Sequence, residues 1–143
     1  MHRLRNVLQG RQVVSAAPET SVYAVAVRMS EAGVGAIPIL DGERLVGIFS
    51  ERDLMTRVFV PQRDAERTAV AEVMTREVVT ATLDEHVDEC VEKMRSVGCR
   101  HLPVVAGSRV IGVLSMRDLL RDELAEQDQE IRQLRAYLHQ TPL

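Results

Sequence analysis

Two short stretches of the chain carry the side chains whose spacing best suits ligand chemistry. Residues 50–53 (Ser-Glu-Arg-Asp) and residues 115–118 (Ser-Met-Arg-Asp) each place a hydroxyl three positions before a carboxylate, with an arginine directly before the acid. If a helix begins after the serine, the free N–H groups of its first turn attract an anion. The carboxylate can accept hydrogen bonds from paired hydroxyls, such as those of a ribose. The pattern suits a nucleotide whose base enters an apolar slot.

The same spacing has a plainer interpretation. Ser-x-x-Asp is a variant of the capping box, in which the serine accepts a hydrogen bond from a helix N–H and the acid favours the positive end of the helix dipole. A single occurrence favours the helix cap. Its recurrence, with arginine before the acid in both places, favours ligand binding, and one carboxylate can serve both roles.

The two stretches belong to an internal repeat. Residues 13–54 (the first copy) align with residues 78–119 (the second copy) without a gap. Such a match indicates two copies of one supersecondary unit, and two copies favour a closed, pseudo-symmetric pair over a solenoid. Identical pairs include Val14/Val79, Met29/Met94, Gly33/Gly98, Pro38/Pro103, Gly47/Gly112, Ser50/Ser115 and Asp53/Asp118.

Each copy has the pattern β-α-β-β-α, which predicts an α+β fold. Short β segments at 13–15 and 78–80 precede helices at about 22–31 and 87–96, where apolar residues such as Val87, Val91 and Met94 recur at helical spacing. Glycines 33 and 98 follow, where a helix end favours positive φ. Asp-Gly between two apolar runs then predicts a β-hairpin in the first copy. A second helix is predicted after each serine.

Outside the copies, the sequence predicts a linker and a helical extension. The segment 55–75 contains Pro61 and a charged run, which indicates a solvated linker. Its end resembles residues 4–8, and both are predicted to form short helical lead-ins. The predicted boundaries are residues 1–65 for the first domain, 66–122 for the second and 123–143 for the extension.

The extension has no Gly or Pro from residue 119 to about 139, which predicts one long helix. Leucine and isoleucine recur there at coiled-coil spacing. The helix could pair with a second copy of the chain or fold back on its own module, and the sequence leaves both open. The a positions are Leu124, Ile131 and Leu138, and the d positions are Leu120, Gln127 and Leu134.

The stretches 47–54 and 112–119 resemble the closing motif of CBS (cystathionine β-synthase) domains: Gly, two apolar residues, Ser or Thr, two variable residues and Asp. The hairpin strands that begin near Pro38 and Pro103, here called the Pro-led strands, and the Val73-Met74-Thr75 lead-in fit the same family. The general appearance is that of stand-alone bacterial proteins with one CBS pair. The resemblance implies a Bateman module, in which two domains pack through their sheets. Its two clefts would take AMP, ADP, ATP, an NAD-type dinucleotide or S-adenosylmethionine.

The resemblance also implies which residues form each cleft. Cleft one would contain Ser50, Arg52, Asp53, Thr80, Cys99, Arg100, His101 and Arg117. Cleft two would contain Ser15, Val34, Gly35, Ala36, Ser115 and Asp118. Phosphate-contacting basic residues are implied just before the Pro-led strand, where the second copy has Arg-His and the first has Gly-Ala. We therefore expect cleft one to hold a polyphosphate or dinucleotide better, and cleft two to take a less charged ligand or stay empty. The alternatives are that Arg100 is a solvated surface charge and that His101 is a histidine of the hairpin whose hydrogen bonds are made within the protein.

Composition narrows the remaining classes of function. The net charge is −3, aromatic residues make up 3% and Trp is absent, which argues against binding to nucleic acid or an anionic membrane. Neither a signal peptide nor an 18-residue apolar run is recognised, so a cytoplasmic protein is expected. Cys90 and Cys99 lack CxxC or zinc spacing and are interpreted as reduced core thiols.

The sequence does not assemble a catalytic or metal-binding set. Cys99 and His101 lack a third orienting group, and Asp84, His86 and Asp88 lack ligand spacing. The preferred prediction is a non-enzymatic regulatory sensor that binds an adenine nucleotide, forms a homodimer and signals to a partner protein. The alternative is an interaction or dimerisation module whose nucleotide clefts are degenerate.

Overall fold

The computed structural model describes residues 3–8 and 12–140, which form two similar halves and a long final helix. In chain order the elements are α1 (Leu4–Leu8), α2 (Val22–Ala32), β1 (Ala36–Asp41), β2 (Arg44–Ser50), α3 (Glu51–Asp53) continuing as a π-helical turn (Leu54–Phe59), a 3-10 turn (Val70–Glu72), β3 (Ala81–Thr82), α4 (Val87–Val97), β4 (His101–Ala106), β5 (Arg109–Ser115) and α5 (Met116–Gln140).

Both central helices occur where the sequence predicts them. The Ser21 hydroxyl caps α2 by accepting a hydrogen bond from the Ala24 N–H at 3.2 Å. Gly33 and Gly98 end the two helices with φ of 67° and 78°, a conformation that favours glycine. In α4 the buried face consists of Val87, Cys90 and Met94, while Val91 of the predicted stripe is half-buried.

The two hairpins have matching registers. β1 pairs antiparallel with β2 so that Ala36 faces Ser50, and β4 pairs with β5 so that His101 faces Ser115. Gly42, at the first turn, has φ of 63°, as the Asp-Gly signal predicts. Each hairpin therefore carries its Ser-x-x-Asp stretch at the end of its second strand.

The leading β segments differ from the prediction. In the second copy the strand β3 lies at 81–82, parallel to Val104 and Val105, rather than at 78–80. In the first copy a parallel bridge joins Ala16 to Ile39, and no strand forms at 13–15. Valine-rich composition indicated the upstream residues, but the small side chains of Ala16 and Ala81 are the ones that pack into the cores.

The prediction of a solvated linker at 55–75 is wrong in part. The second helix of the first copy continues to Phe59, and Val58, Val70 and Met74 are buried. Most of the residues from Met55 to Arg67 are exposed. Val58 and Val70, on either side of the charged run, bury their side chains, and the polar composition of the run concealed this.

Both predicted lead-ins are helical, but each completes the core of the other copy. The first core consists of Ala16, Val22, Val25, Met29, Ile37, Ile39, Phe49 and Val58 together with Val70, Val73 and Met74. The second core consists of Leu4 and Leu8 together with Ala81, Val87, Cys90, Met94, Leu102, Val104, Leu114 and Leu119. The Leu4 N–H donates to the Glu85 carbonyl at 3.1 Å, and the Val70 N–H donates to the Thr20 carbonyl at 2.8 Å. The two halves are thus interlocked through residues that precede each copy.

Candidate functional site

The Ser-x-x-Asp stretches form complete capping boxes in both copies. The Asp53 N–H donates to Ser50 Oγ at 3.2 Å, and the Ser50 N–H donates to Asp53 Oδ2 at 3.0 Å. The equivalent distances between Ser115 and Asp118 are 3.1 Å and 2.9 Å. Because the serine ends a strand and the acid lies in the first helical turn, each box fixes one strand-to-helix junction. The capping interpretation of the sequence is confirmed.

Asp53 has further partners that the sequence analysis missed. The Thr75 hydroxyl lies 3.4 Å from both carboxylate oxygens, and Arg57 Nε lies 3.7 Å from Oδ1. Arg57 also donates to the carbonyls of Val73 and Met74 at 3.1 Å and 3.0 Å. Asp53, only 7% exposed, therefore helps to hold the end of the connecting segment. The four-residue spacing of Asp53 and Arg57 was the available signal for this pair.

His101 lies where the two copies meet. A Cβ on Gly35 would stand 3.2 Å from His101 Nε2 and 3.2 Å from Glu51 Oε1, so the missing side chain of Gly35 leaves room for both groups. Burial lowers the pKa of His101 below its ordinary value, against an opposing effect of the Glu51 and Asp118 carboxylates, and Arg100 lowers it further. The imidazole is therefore neutral near pH 7, a hydrogen-bonding group rather than a fixed cation.

The residues that precede the Pro-led strands also contact the junctions of their own copies. The Glu51 N–H donates to the Gly35 carbonyl at 2.9 Å, and the Met116 N–H donates to the Arg100 carbonyl at 2.8 Å. The proximity of His101 to Gly35 brings a residue predicted for cleft one beside a residue predicted for cleft two. His101 is thus shared between the two predicted sets.

The other predicted site residues divide by exposure. Arg52, Arg100 and Arg117 are exposed, and none of them forms an ion pair within residues 3–8 and 12–140. Ala36 is buried, while Val34 and Cys99 pack against the first and second core. The three arginines are available to an anion, whereas the three apolar or thiol side chains are mainly structural.

The backbones of Ser15 and Thr80 are each bonded by a basic side chain from the following helix. The Ser15 carbonyl accepts a hydrogen bond from Arg28 Nη1 at 2.8 Å, and the Thr80 carbonyl accepts one from Lys93 Nζ at 3.0 Å. Arg28 and Lys93 occupy equivalent positions of the repeat. Sequence analysis missed them, although retained positive charge at one repeat position was a usable signal.

A groove lies beside Ser15. It has a volume of about 500 Å³ and is bounded on one side by the first copy and on the other by the hairpin of the second. Its lining residues are Gln12, Val13, Ser15, Leu40, Gly42, Glu43, Arg109 and Val110. Of the predicted residues of cleft two, Ser15 is the one that lines it.

Among the described residues, no disulfide, metal site or membrane-spanning helix is found. Burial raises the pKa of the Cys90 thiol to about 11, and both cysteines are free thiols. Within the described ranges, no group of three His, Cys, Asp or Glu side chains is placed to hold a metal ion. None of the helices in the described part of the chain is long and apolar enough to cross a membrane.

The fold and the duplicated junction define an α+β repeat pair in which strands β1 and β2 of one sheet contact β5 of the other. The sequence matches the CBS-domain family twice, over residues 6–59 and 70–124. The chain belongs to the CBS-domain family, and its fold is a tandem CBS pair with an extended C-terminal helix.

Curated relatives match most of the chain. YlbB of Bacillus subtilis is 36% identical over 113 residues, which cover 77% of this chain and 73% of YlbB. MK0525 of Methanopyrus kandleri is 30% identical over 79% of this chain. The chain spans only 59% of the length of MK0525.

Solved structures have the same arrangement. A putative signal-transduction protein with CBS domains from Burkholderia ambifaria has a TM-score of 0.83 at 30% identity, covering 88% of this chain and 96% of that one. The CBS pair of MJ0100, solved with 5'-methylthioadenosine and S-adenosyl-L-methionine, has a TM-score of 0.78 at 26% identity, covering 88% and 98%. PAE2072 of Pyrobaculum aerophilum, complexed with AMP, has a TM-score of 0.73 at 28% identity, covering 82% and 89%.

Proposed function

We propose that this chain is a non-catalytic regulatory sensor that binds adenine nucleotides between its two CBS domains and signals to a partner protein. The duplicated Ser-x-x-Asp junction carries the proposal. In each copy it brings a hydroxyl, a carboxylate and the first N–H groups of a helix to one end of a hairpin. The cytoplasmic location remains a prediction from the sequence.

Two similar structures support the proposed ligand class. MJ0100 was solved with S-adenosyl-L-methionine and 5'-methylthioadenosine, and PAE2072 with AMP. Because these ligands share adenosine and differ in charge, the shared part suits a carboxylate that accepts ribose hydroxyls. For this chain the proposed ligands are AMP, ADP, ATP or an NAD-type dinucleotide.

The two clefts are proposed to prefer different charges. Arg52, Arg100 and Arg117 are exposed, which supports a phosphate-holding cleft one built with Ser50 and Asp53. Before its Pro-containing strand, cleft two has Gly35 and Ala36, which offer a phosphate no side-chain donor. Cleft two, around Ser115 and Asp118, is therefore proposed to take a less charged ligand or to remain empty.

Thermal melting with a panel of nucleotides tests the function. AMP, ADP, ATP, NAD, NADH and S-adenosylmethionine would each be added in excess to the full chain. A ligand at 100 times its dissociation constant stabilises the folded state by about 2.7 kcal/mol, which is readily measured as a rise in melting temperature. No shift with any ligand would instead favour an interaction module with degenerate clefts, which the exposed apolar residues of α5 also suit.

Calorimetry tests the assignment of cleft one. Arg100→Ala removes a charged donor from an exposed position and should weaken binding of a phosphorylated ligand about tenfold or more. Arg121→Ala is the matched control, because it removes another exposed charge that is not predicted to line either cleft. If Asp118→Asn weakens binding and Arg100→Ala does not, the cleft assignment is wrong while nucleotide binding stands. Conversion of the bound nucleotide, followed by chromatography, would contradict the non-catalytic role.

A further inference from the structure

The distal part of helix α5 exposes a stripe of large apolar side chains. Leu119 at its base is buried in the second core, but Leu124, Ile131, Leu134 and Leu138 are between 48% and 70% exposed. The stability of a helix in a protein comes mainly from packing of its apolar face. The stripe is therefore suited to a partner helix.

We propose that residues 120–138 of α5 pair with the same segment of a second copy of this chain as a parallel, in-register coiled coil. The apolar residues have the required spacing, with Leu124, Ile131 and Leu138 at a positions and Leu120 and Leu134 at d positions. The pairing buries leucine and isoleucine side chains that are exposed in the single chain.

Charge favours the parallel orientation. Glu130 occupies a g position and Arg135 the following e position, so each Glu130 faces Arg135 of the other copy, and the pair forms twice. Glu123 faces Asp128 less favourably, but Asp128 already pairs with Arg132 of its own helix at 3.1 Å. An antiparallel alignment that matches every apolar position would place Arg121 beside Arg135 and Glu130 beside Glu130. Those like charges disfavour it.

The polar residue of the stripe points to the same register. Gln127 occupies a d position and is exposed. In a parallel, in-register pair, Gln127 faces Gln127 and the two amides can bond to each other. In the antiparallel alignment it would face Ile131, which cannot accept or donate a hydrogen bond. A single polar core position commonly specifies register at some cost in stability.

Sedimentation equilibrium of the full chain tests the pairing. The native chain should be a dimer, and Leu134→Glu should raise the dimer dissociation constant about 100-fold or more, because it places a charge in the seam. Gln133→Glu, one position away on the outer face, is the matched control and should leave the dimer intact. A monomer at all concentrations, or a dimer insensitive to Leu134→Glu, would overturn the proposal.

Cross-linking tests the orientation. The cross-linking variant is Ile131→Cys in a Cys99→Ser background, where the remaining Cys90 is buried. Under mild oxidation, the introduced thiols of two chains should form a disulfide-linked dimer. A cross-link found only in a mixture of Ile131→Cys and Gln127→Cys chains would contradict the parallel register. The proposal does not rest on nucleotide binding, since the two experiments use no ligand.

Discussion

The two copies have the same junction but different surroundings. Asp53 is buried and bonded to Thr75 and Arg57, which tie it to the connecting segment. Asp118 is half-buried at the start of the long α5, and the position four residues on is Asp122 instead of arginine. The local geometry of a capping box is thus retained after duplication, while the residue four positions after the acid changes from Arg57 to Asp122.

The largest expected effect comes from the close contacts between the second strand of each hairpin and the lead-in segment that packs against it. A Cβ on Gly47 would lie 2.4 Å from Met74 Sδ, and one on Gly112 would lie 2.8 Å from Leu8 Cδ2. Gly47→Ala should lower the free energy of unfolding by about 1–3 kcal/mol through overpacking, and Gly112→Ala by less. Urea denaturation measures both.

A double mutant isolates the cause. In Gly47→Ala with Met74→Ala, the clash disappears, so the combined loss should be smaller than the sum of the single losses. Additive losses, or a greater loss from Gly112→Ala than from Gly47→Ala, would show that these contacts do not distinguish the copies.

The next effect concerns Asp53. Asp53→Asn should cost about 1 kcal/mol of stability, because the amide keeps the shape of the cap but loses the charge that faces Arg57 and the helix dipole. Melting curves without ligand measure the loss, with Glu43→Gln in the exposed first turn as a control. An unchanged melting temperature for Asp53→Asn would contradict the anchoring role of Asp53.

The next effect is a pH dependence of the stability of the folded state. It arises from His101 and has no counterpart at Ala36, the equivalent position in the first copy. The groups facing it are Glu51 from α3, Asp118 from α5 and the adjacent Arg100. Because folding lowers the pKa of His101 below 6.5, the unfolded state binds the proton more tightly. Stability is therefore lost as pH falls below about 6.5. His101→Gln should have a smaller fall in melting temperature between about pH 7.5 and 5.5, and an unchanged fall would exclude this contribution.

The smallest effect is a difference in reactivity between two thiols. The second copy has Cys90 and Cys99 where the first has Val25 and Val34. Cys90 is buried with its pKa raised to about 11, whereas Cys99 is partly exposed. A colourimetric thiol reagent at about pH 8 should label one site quickly and Cys90 only as the protein unfolds. In Cys99→Ser the fast phase should vanish, and its survival would show that Cys90 is accessible.

Local signals were sufficient for much of the fold. The Asp-Gly turn, the glycines that end α2 and α4, and both Ser-x-x-Asp boxes depend on residues near each other in sequence, so the repeat predicted them correctly. The strand at 81–82 was misplaced because its position depends on packing against β4, which composition at 78–80 does not report. The buried role of Val70 and Met74 was missed for the same reason.

The candidate site was less predictable than the fold. Arg57 and Thr75 reach Asp53 from separate parts of the chain, and His101 meets Gly35 across the boundary between the copies. The resemblance to CBS domains supplied the composition of the clefts, and that composition remains a prediction. Contacts between copies depend on side-chain direction, which a shift of the sequence against itself cannot reveal.

The exchanged lead-ins have a consequence for how the chain is made. During synthesis the first copy emerges before Val70 and Met74, so its core lacks a wall until the connecting segment has followed. Leu4 and Leu8 leave the ribosome long before their partners Leu102 and Leu114. Because domains generally fold as units during synthesis, we expect neither copy to become stable alone. The chain should mature in one late, concerted step.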